Sequence, residues 1–420
     1  MSIPPLILFE DPGWRRFGPV AHLRPVWDLR IGLQTLGERI STLLDVPPQA
    51  RIARSSIVGL LGEMGTGQMP VTGDVFLVNG RFAGEPFTEG LAPDCPATVW
   101  TDGPDVAAAR LPVDVARRWF SHPVYDPLDY TTQALLSAWN TVQAAPEVRV
   151  LEARGSLIWW PWDLLERQSG AIEEQFALLG AALDGEIDHR AILVDESRMH
   201  VAKGASVRAG AILDASGGPI LLEERVEIMP GAIVMGPVAL ASGTKINAGA
   251  KLHGPVVAGP KCKLGGEIEE TLIQGHSNKQ HDGYLGHAVL GEWVNLGADT
   301  NNSDLKNNYS NVSVRIDGEE IDTGRLFFGC LIGDHVKTAI NTQLNTGTVI
   351  GIGSNIYGSD FPPKEIGAFR WGGAAGFEYY DFERFIETAR RVMERRDVNL
   401  TPAMILLLRE LHAEALEGRL

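Results

Sequence analysis

The stretch IMPGAIVMGPVALASGTKINAGAKL, residues 228–252, decides the fold. Aliphatic residues recur every six positions at Ile228, Val234, Leu240, Ile246 and Leu252, and the series runs on through Ala258 and Leu264. Four residues after each of the first six comes a small or β-branched residue: Ala232, Val238, Thr244, Ala250, Val256 and Cys262. A period of six fits neither the 3.6 of an amphipathic helix nor the 2.0 of a half-buried strand. It fits a triangular parallel β-helix in which each flat side takes one hexad. The aliphatic residue points inward, and only a small residue fits beside it near the corner. Gly231, Gly243, Asn247 and Gly249 fall at the corners, where left-handed backbone is expected.

The same frame extends in both directions. It appears earlier at Val201, Val207 and Leu213, and resumes at Leu222 after Gly217-Gly218-Pro219. It returns at Leu290 and Leu296 and closes with Ile332, Thr338, Leu344, Ile350 and Ile356. Two stretches lose the frame, Gln274 to His287 and Asn301 to about Gly329, and both read as insertions. Loops thrown out of a repeat fold commonly carry its binding surface.

The flanks are of a different kind. Residues 1–188 hold apolar runs (Leu6 to Phe9, Val75 to Val78) and helix-like stretches (Leu29 to Leu44, Leu164 to Leu183), an α/β pattern. Residues 189–360 are the β-helix. Residues 361–420 read as helices that cap it, with Phe382, Phe385, Ile386, Ala389, Val392 and Met393 on one face. A second helix is expected after Thr401-Pro402, an N-cap followed by Pro at the first helical position.

Composition excludes several classes. A net charge of −16 over 420 residues leaves no basic surplus to neutralise nucleic-acid phosphates. Three scattered cysteines make neither a disulfide framework nor a zinc cluster. Met1 to Glu10 lacks a basic leader, and no stretch approaches the ~18 apolar residues of a membrane span. A cytoplasmic protein that works on small molecules is the expectation.

The segment HDGYLGHAVLGEWVNLGADT, residues 281–300, resembles the acetyltransferase domain of the bifunctional N-acetylglucosamine-1-phosphate uridylyltransferase family. Asn341-Thr342-Gln343-Leu344 is similar to a D-T-Q-L turn of the same family. The N-terminal half resembles sugar nucleotidyltransferases fused to such solenoids, through Leu8-Phe9-Glu10-Asp11, residues 24–32 (RPVWDLRIG) and residues 160–165 (WPWDLL). The resemblance implies an α/β nucleotidyltransferase-like domain, then a left-handed parallel β-helix of hexapeptide repeats, then C-terminal helices. It implies acetyl-CoA as acyl donor, an amino-sugar phosphate as acceptor, and a homotrimer with donor pockets between chains. It makes His281 the general base, places Tyr284 and Asn295 in the sugar-phosphate pocket, and sets the Ala298 backbone near the acyl donor. Acyl transfer to an amine needs a base titrating near neutrality, and His is the usual choice.

The N-terminal half departs from its family's pattern. No Gly-rich cradle follows Leu8, and none of the nine lysines precedes Lys203, so Arg24 and Arg30 stand in as phosphate grips. Where the family ends a strand with N-G-D, this chain has Asn79-Gly80-Arg81, a cation in the place of a magnesium ligand. Either Asp28, Asp74 or Asp102 holds Mg²⁺ with a nucleoside triphosphate, or this half has lost the chemistry. The metal ligands stay unassigned. The competing function is a non-catalytic trimeric scaffold or nucleotide-sugar sensor.

Overall fold

A computed structural model describes residues 3–65, 67–87, 89–91, 95–121, 148–316, 318–358 and 360–420. The chain forms two compact units. One holds residues 1–17, 24–29 and 34–160; the other holds 18–23, 30–33 and 161–420.

The first unit is built on a six-stranded mixed sheet. Leu6–Phe9 lies parallel to Ala50–Ile52 on one side and to Asp74–Asn79 on the other. Asp105–Pro112 runs antiparallel to Asp74–Asn79 and to Ala97–Asp102, which pairs in parallel with Val148–Glu152. Both faces of Leu6–Phe9 are buried, as its continuous apolar run requires. The helix expected over Leu29 to Leu44 is confined to Leu36–Leu44. Thr35 starts it with a capping box, its hydroxyl accepting from Glu38 N–H while the Glu38 carboxylate accepts from Thr35 N–H.

The second unit opens with helix Pro161–Leu179 and continues as a parallel β-solenoid. One side carries ten strands from Ala182–Leu183 to Glu365–Ile366. A second side carries six from Glu186–Ile187 to Asn278–Lys279, and a third six from Ile192–Val194 to Tyr284–Gly286. Ile228 pairs with Ile246, Val234 with Leu252 and Leu240 with Ala258, so each hexad position stacks on its counterpart one coil away. All six side chains are buried in one continuous core. Gly231, Gly243 and Gly249 take left-handed backbone as expected, but Asn247 does not. Its amide instead donates to the Gln280 carbonyl at 2.7 Å.

One expected insertion is absent. Gln274 to His287 is a regular coil, with Lys263 paired to Asn278, Leu264 to Lys279 and Ile268 to Leu285. The inward positions here are Ile268, Ile273, Lys279, Leu285 and Leu290, so shortened corners break the period of six. The coil also places a lysine where every neighbour is aliphatic. The second excursion is real: Asn301–Asn302 still pairs with Gln343–Leu344, and the chain then leaves the coil, forms the hairpin Ser313–Ile316/Glu319–Asp322, and rejoins at Cys330. Helix Phe382–Glu394 runs lengthwise along a solenoid corner. Phe385 near its start packs on Phe369 and His335, while Arg396 beyond its end reaches Asn278 and Lys261.

Removing an inward side chain opens a cavity that a coil paired on both sides cannot collapse. Leu252→Ala should cost about 2–5 kcal/mol in chemical denaturation, against roughly 0.5 kcal/mol or less for the exposed neighbour change Lys251→Ala.

Candidate functional sites

In the first unit, the strand ends at Phe9 and Asn79 bring Glu10, Asp11 and Arg81 together. Arg81 is fully buried. Its Nε donates to Asp11 Oδ1 at 2.8 Å, one terminal nitrogen donates to Asp11 Oδ2 and to Asp105 Oδ2 (2.6 Å), and the other donates to the Ile158 carbonyl at 3.1 Å. The Asn79 amide donates to Asp11 Oδ2 at 2.9 Å, and its carbonyl oxygen accepts from Arg81 N–H. Burial opposes the guanidinium charge, but Asp11 and Asp105 outweigh it and hold the Arg81 pKa above its ordinary value. A second buried pair, Glu10 with Arg54 at 2.7 Å, lies beside it.

These residues do not fit a resident divalent cation. Arg81 sits between the two carboxylates that would ligate one, and it is charge-paired to both. Asp102 accepts from Leu157 N–H, and Asp74 is paired with Arg110. No cluster of three or more His, Cys, Asp or Glu side chains suited to a metal occurs among the described residues.

Of the two expected phosphate grips, Arg24 belongs to the first unit and Arg30 to the second. Arg24 is buried and its carbonyl accepts from Arg54. Arg30 donates from Nε to the Gln274 carbonyl at 2.9 Å and from a terminal nitrogen to the Leu33 carbonyl at 2.6 Å.

In the solenoid, His281 and Ala298 meet at one corner. The turn at His281-Asp282 stacks directly on the turn at Ala298-Asp299, with Asp299 N–H donating to the Asp282 carbonyl at 3.0 Å. Tyr284 and Asn295 do not share a side. Tyr284 follows His281 onto one side, and Asn295 sits on the other, bridged to Asn278 and Lys337 on the neighbouring coils. His281 is exposed. Its turn is held from within by Lys279, whose ammonium donates to the carbonyls of His281 (2.6 Å), Asp282 (3.1 Å) and Gly265 (3.3 Å). Burial pushes the Lys279 pKa down to about 8. The Ala298 carbonyl accepts from Asn341 N–H at 2.8 Å, and the Ala298 N–H has no protein acceptor among the described residues.

A network that the sequence did not announce lies beside Tyr284. Its hydroxyl is 2.7 Å from Asp304 Oδ2 and 2.9 Å from Glu269 Oε2. Asp304, from the excursion after Asn302, also accepts from His287 Nδ1 at 2.8 Å, and His287 Nε2 faces Glu270 at 3.3 Å. The His287 ring stacks on Phe327 at 5.1 Å. Burial disfavours its cation, yet Asp304 and Glu270 push its pKa up to about 9. His287 is therefore an imidazolium at neutral pH and its proton is committed. His276, half-buried and stacked on Trp293, has its pKa lowered by burial. His281 is left as the accessible imidazole of the three.

Two outcomes follow from these charges. Arg81→Met strands a buried Asp11 carboxylate and should cost about 3–5 kcal/mol in chemical denaturation; a loss under about 1 kcal/mol would show that this pairing does not hold the fold. The folded pKa of His287, about 9, lies above its ordinary value of 6.5. Its stabilisation is thus complete below roughly pH 6.5 and is lost as the pH rises through about 9. The urea midpoint advantage of wild type over Asp304→Asn should shrink across that window, and a flat difference would rule out the ion pair.

Comparison with known proteins agrees with the two-part architecture. Residues 6–182 match the family model described as sugar nucleotidyl transferase. A bifunctional sugar-1-phosphate nucleotidylyltransferase/acetyltransferase of Sulfurisphaera tokodaii is 35% identical over 152 residues, covering 36% of this chain and 38% of that protein. The bifunctional protein GlmU of Methanococcus vannielii is 31% identical over 100 residues, 24% of each chain. The matches thus span well under half the length of these relatives. Among solved structures, the Arabidopsis UDP-N-acetylglucosamine acyltransferase aligns over 56% of this chain and 97% of its own at 12% identity, with a TM-score of 0.19. The stretch that matches the sugar nucleotidyl transferase model, residues 6–182, is thus followed in the chain by a parallel β-solenoid.

Proposed function

We propose that the chain is a transferase whose solenoid moves an acetyl group from acetyl-CoA to the amine of an amino-sugar phosphate. The observation that carries this reading is the corner where the exposed His281 turn stacks on the Ala298 turn. A base and an unclaimed backbone N–H come from adjacent coils of a rigid framework. In the reaction the acceptor amine attacks the thioester carbonyl, His281 takes the proton, and the Ala298 N–H donates to the developing oxyanion. The tetrahedral adduct collapses with loss of the thiolate. Tyr284 and Asn295 would hold the acceptor from the two sides that flank the corner. Lys279 keeps the base in place by gripping its turn. The reading implies a cytoplasmic homotrimer, since side-by-side packing is what closes pockets on solenoid faces.

For the N-terminal unit, the Arg81 pairing with Asp11 and Asp105 favours a second reading, in which the family fold binds a nucleotide or nucleotide sugar and transfers nothing. Arg24 is the proposed phosphate contact within that unit; Arg30 lies in the second unit. Magnesium-dependent formation of a nucleotide sugar by wild type would overturn this second reading.

His281→Ala should lower acetyl-CoA-dependent acetylation of an amino-sugar phosphate by ~10²–10⁴-fold, with mass and melting temperature unchanged. Full activity in that variant would place the base elsewhere. A light-scattering mass near one chain of 45.6 kDa would remove the trimer.

A further inference from the structure

A cavity of about 350 Å³ opens within the second unit, between the solenoid and the turn that ends helix Phe382–Glu394. Four cations line it: Lys263 and Lys337 from the solenoid, Arg395 and Arg396 from the turn. No carboxylate is among its lining residues. In a chain of net charge −16 this is a local inversion of sign. The cations disfavour one another: burial lowers the Lys263 pKa, and Arg396, Arg395 and Lys245 lower it further. Burial also lowers Lys337, to about 8, and lowers Arg396.

The wall beside these charges is unusual. At this corner successive coils place His276, Trp293 and His335, with φ of +52°, +61° and +60°. Equivalent corners elsewhere in the solenoid carry Arg225, Gly243, Lys261 and Gly353, all left-handed, so what distinguishes this stretch is its run of aromatic rings. Large side chains are disfavoured in the left-handed region, yet here they stack, His276 on Trp293 at 4.3 Å and Trp293 on His335 at 6.1 Å. His276 Nδ1 is buried with no hydrogen-bond partner among the described residues. Glu292 is the carboxylate that most raises the His276 pKa, against Lys261, Arg396 and Arg30. Arg396 also donates to Asn278 at 2.7 Å, and the Asn278 amide donates to Asn295 at 3.2 Å, so the cationic turn is tied into the solenoid side. Four cations with no carboxylate partner among the described residues, beside a buried ring nitrogen without a hydrogen bond, mark a binding site rather than packing.

We infer that this cavity is a binding site for a pyrophosphate-type anion, held by Lys263, Lys337, Arg395 and Arg396 beside the His276–Trp293 stack. Two or more phosphate groups would neutralise the four cations, and Arg395 and Arg396 supply planar donors suited to phosphate oxygens. The volume suits a diphosphate or one small phosphorylated metabolite and is small for a whole nucleotide sugar. Asn295, the proposed acceptor contact, also lines this cavity, so the two sites adjoin; the inference concerns binding and not turnover, and does not depend on His281 acting as a base.

The test is isothermal titration of the full chain with sodium pyrophosphate. Wild type should bind saturably, and the affinity should fall as salt rises. The double variant Lys263→Ala/Arg395→Ala should bind at least ~10-fold more weakly, about the loss of one charge-assisted contact or more. Lys251→Ala, elsewhere on the solenoid, should match wild type. Displacement of pyrophosphate by ADP would mark a nucleotide-borne anion, and displacement by inorganic phosphate alone a free one; both support the site. If the double variant loses its melting transition, Lys263→Gln alone should still weaken binding measurably. No saturable binding by wild type, or equal affinity in wild type and the folded variants, would overturn the inference.

Discussion

Everything in the second unit depends on a steric constraint: on each side of each turn the interior of the coil admits one aliphatic side chain and a small one beside it. Ile228, Ile246 and Leu264 stack on one side, Val234, Leu252 and Ile268 on another, each in register with its neighbour. Because the inner strands are paired above and below, the coil has little freedom to yield there. The functional groups therefore sit at corners and on excursions, where the backbone is not committed to a ladder. His281 and Ala298 take their relation from coil stacking alone. The cationic cavity takes its floor from the same ladder and its roof from a helix laid along the corner.

The first unit has a different organising force. Its buried strand ends carry Asp11 and Glu10 into a region where isolated charge is expensive, and Arg81 and Arg54 answer them. A buried pair of this kind contributes little net stability, but losing one partner is costly. The pairing also removes two carboxylates from any role as metal ligands. The same contacts occupy the Asp11 and Asp105 oxygens that could otherwise face a cation.

The solenoid was legible because its period is enforced by sterics at every coil. It became illegible where that enforcement changes form. Between Leu264 and Leu290 the inward residues are spaced by four, five and six, and one is Lys279, so a search for a strict aliphatic hexad sees an insertion where a coil exists. Asn247 looked like a corner residue needing left-handed backbone, but its side chain had a better use in bonding Gln280. Arg81 was readable as an anomaly of charge, while its partners Asp11 and Asp105 became visible only through the sheet. The Tyr284–Asp304–His287 network was not readable, since Asp304 lies on an excursion whose return path no local pattern encodes. The cationic cavity joins residues about 130 positions apart, Lys263 with Arg396, and only the packing of the last helices brings them together.

The excursion between Asn302 and Cys330 leaves and re-enters the coil without disturbing its register, since Leu290 stacks on Ile332 and Asn302 on Leu344 as if nothing intervened. Such a segment behaves as a cassette. It leaves the ladder, buries Val312, Val314 and Phe328, and brings the Asp304 carboxylate back to Tyr284 and His287. The surroundings of Tyr284 and His287 are therefore set by a segment that the repeat of the coil does not dictate.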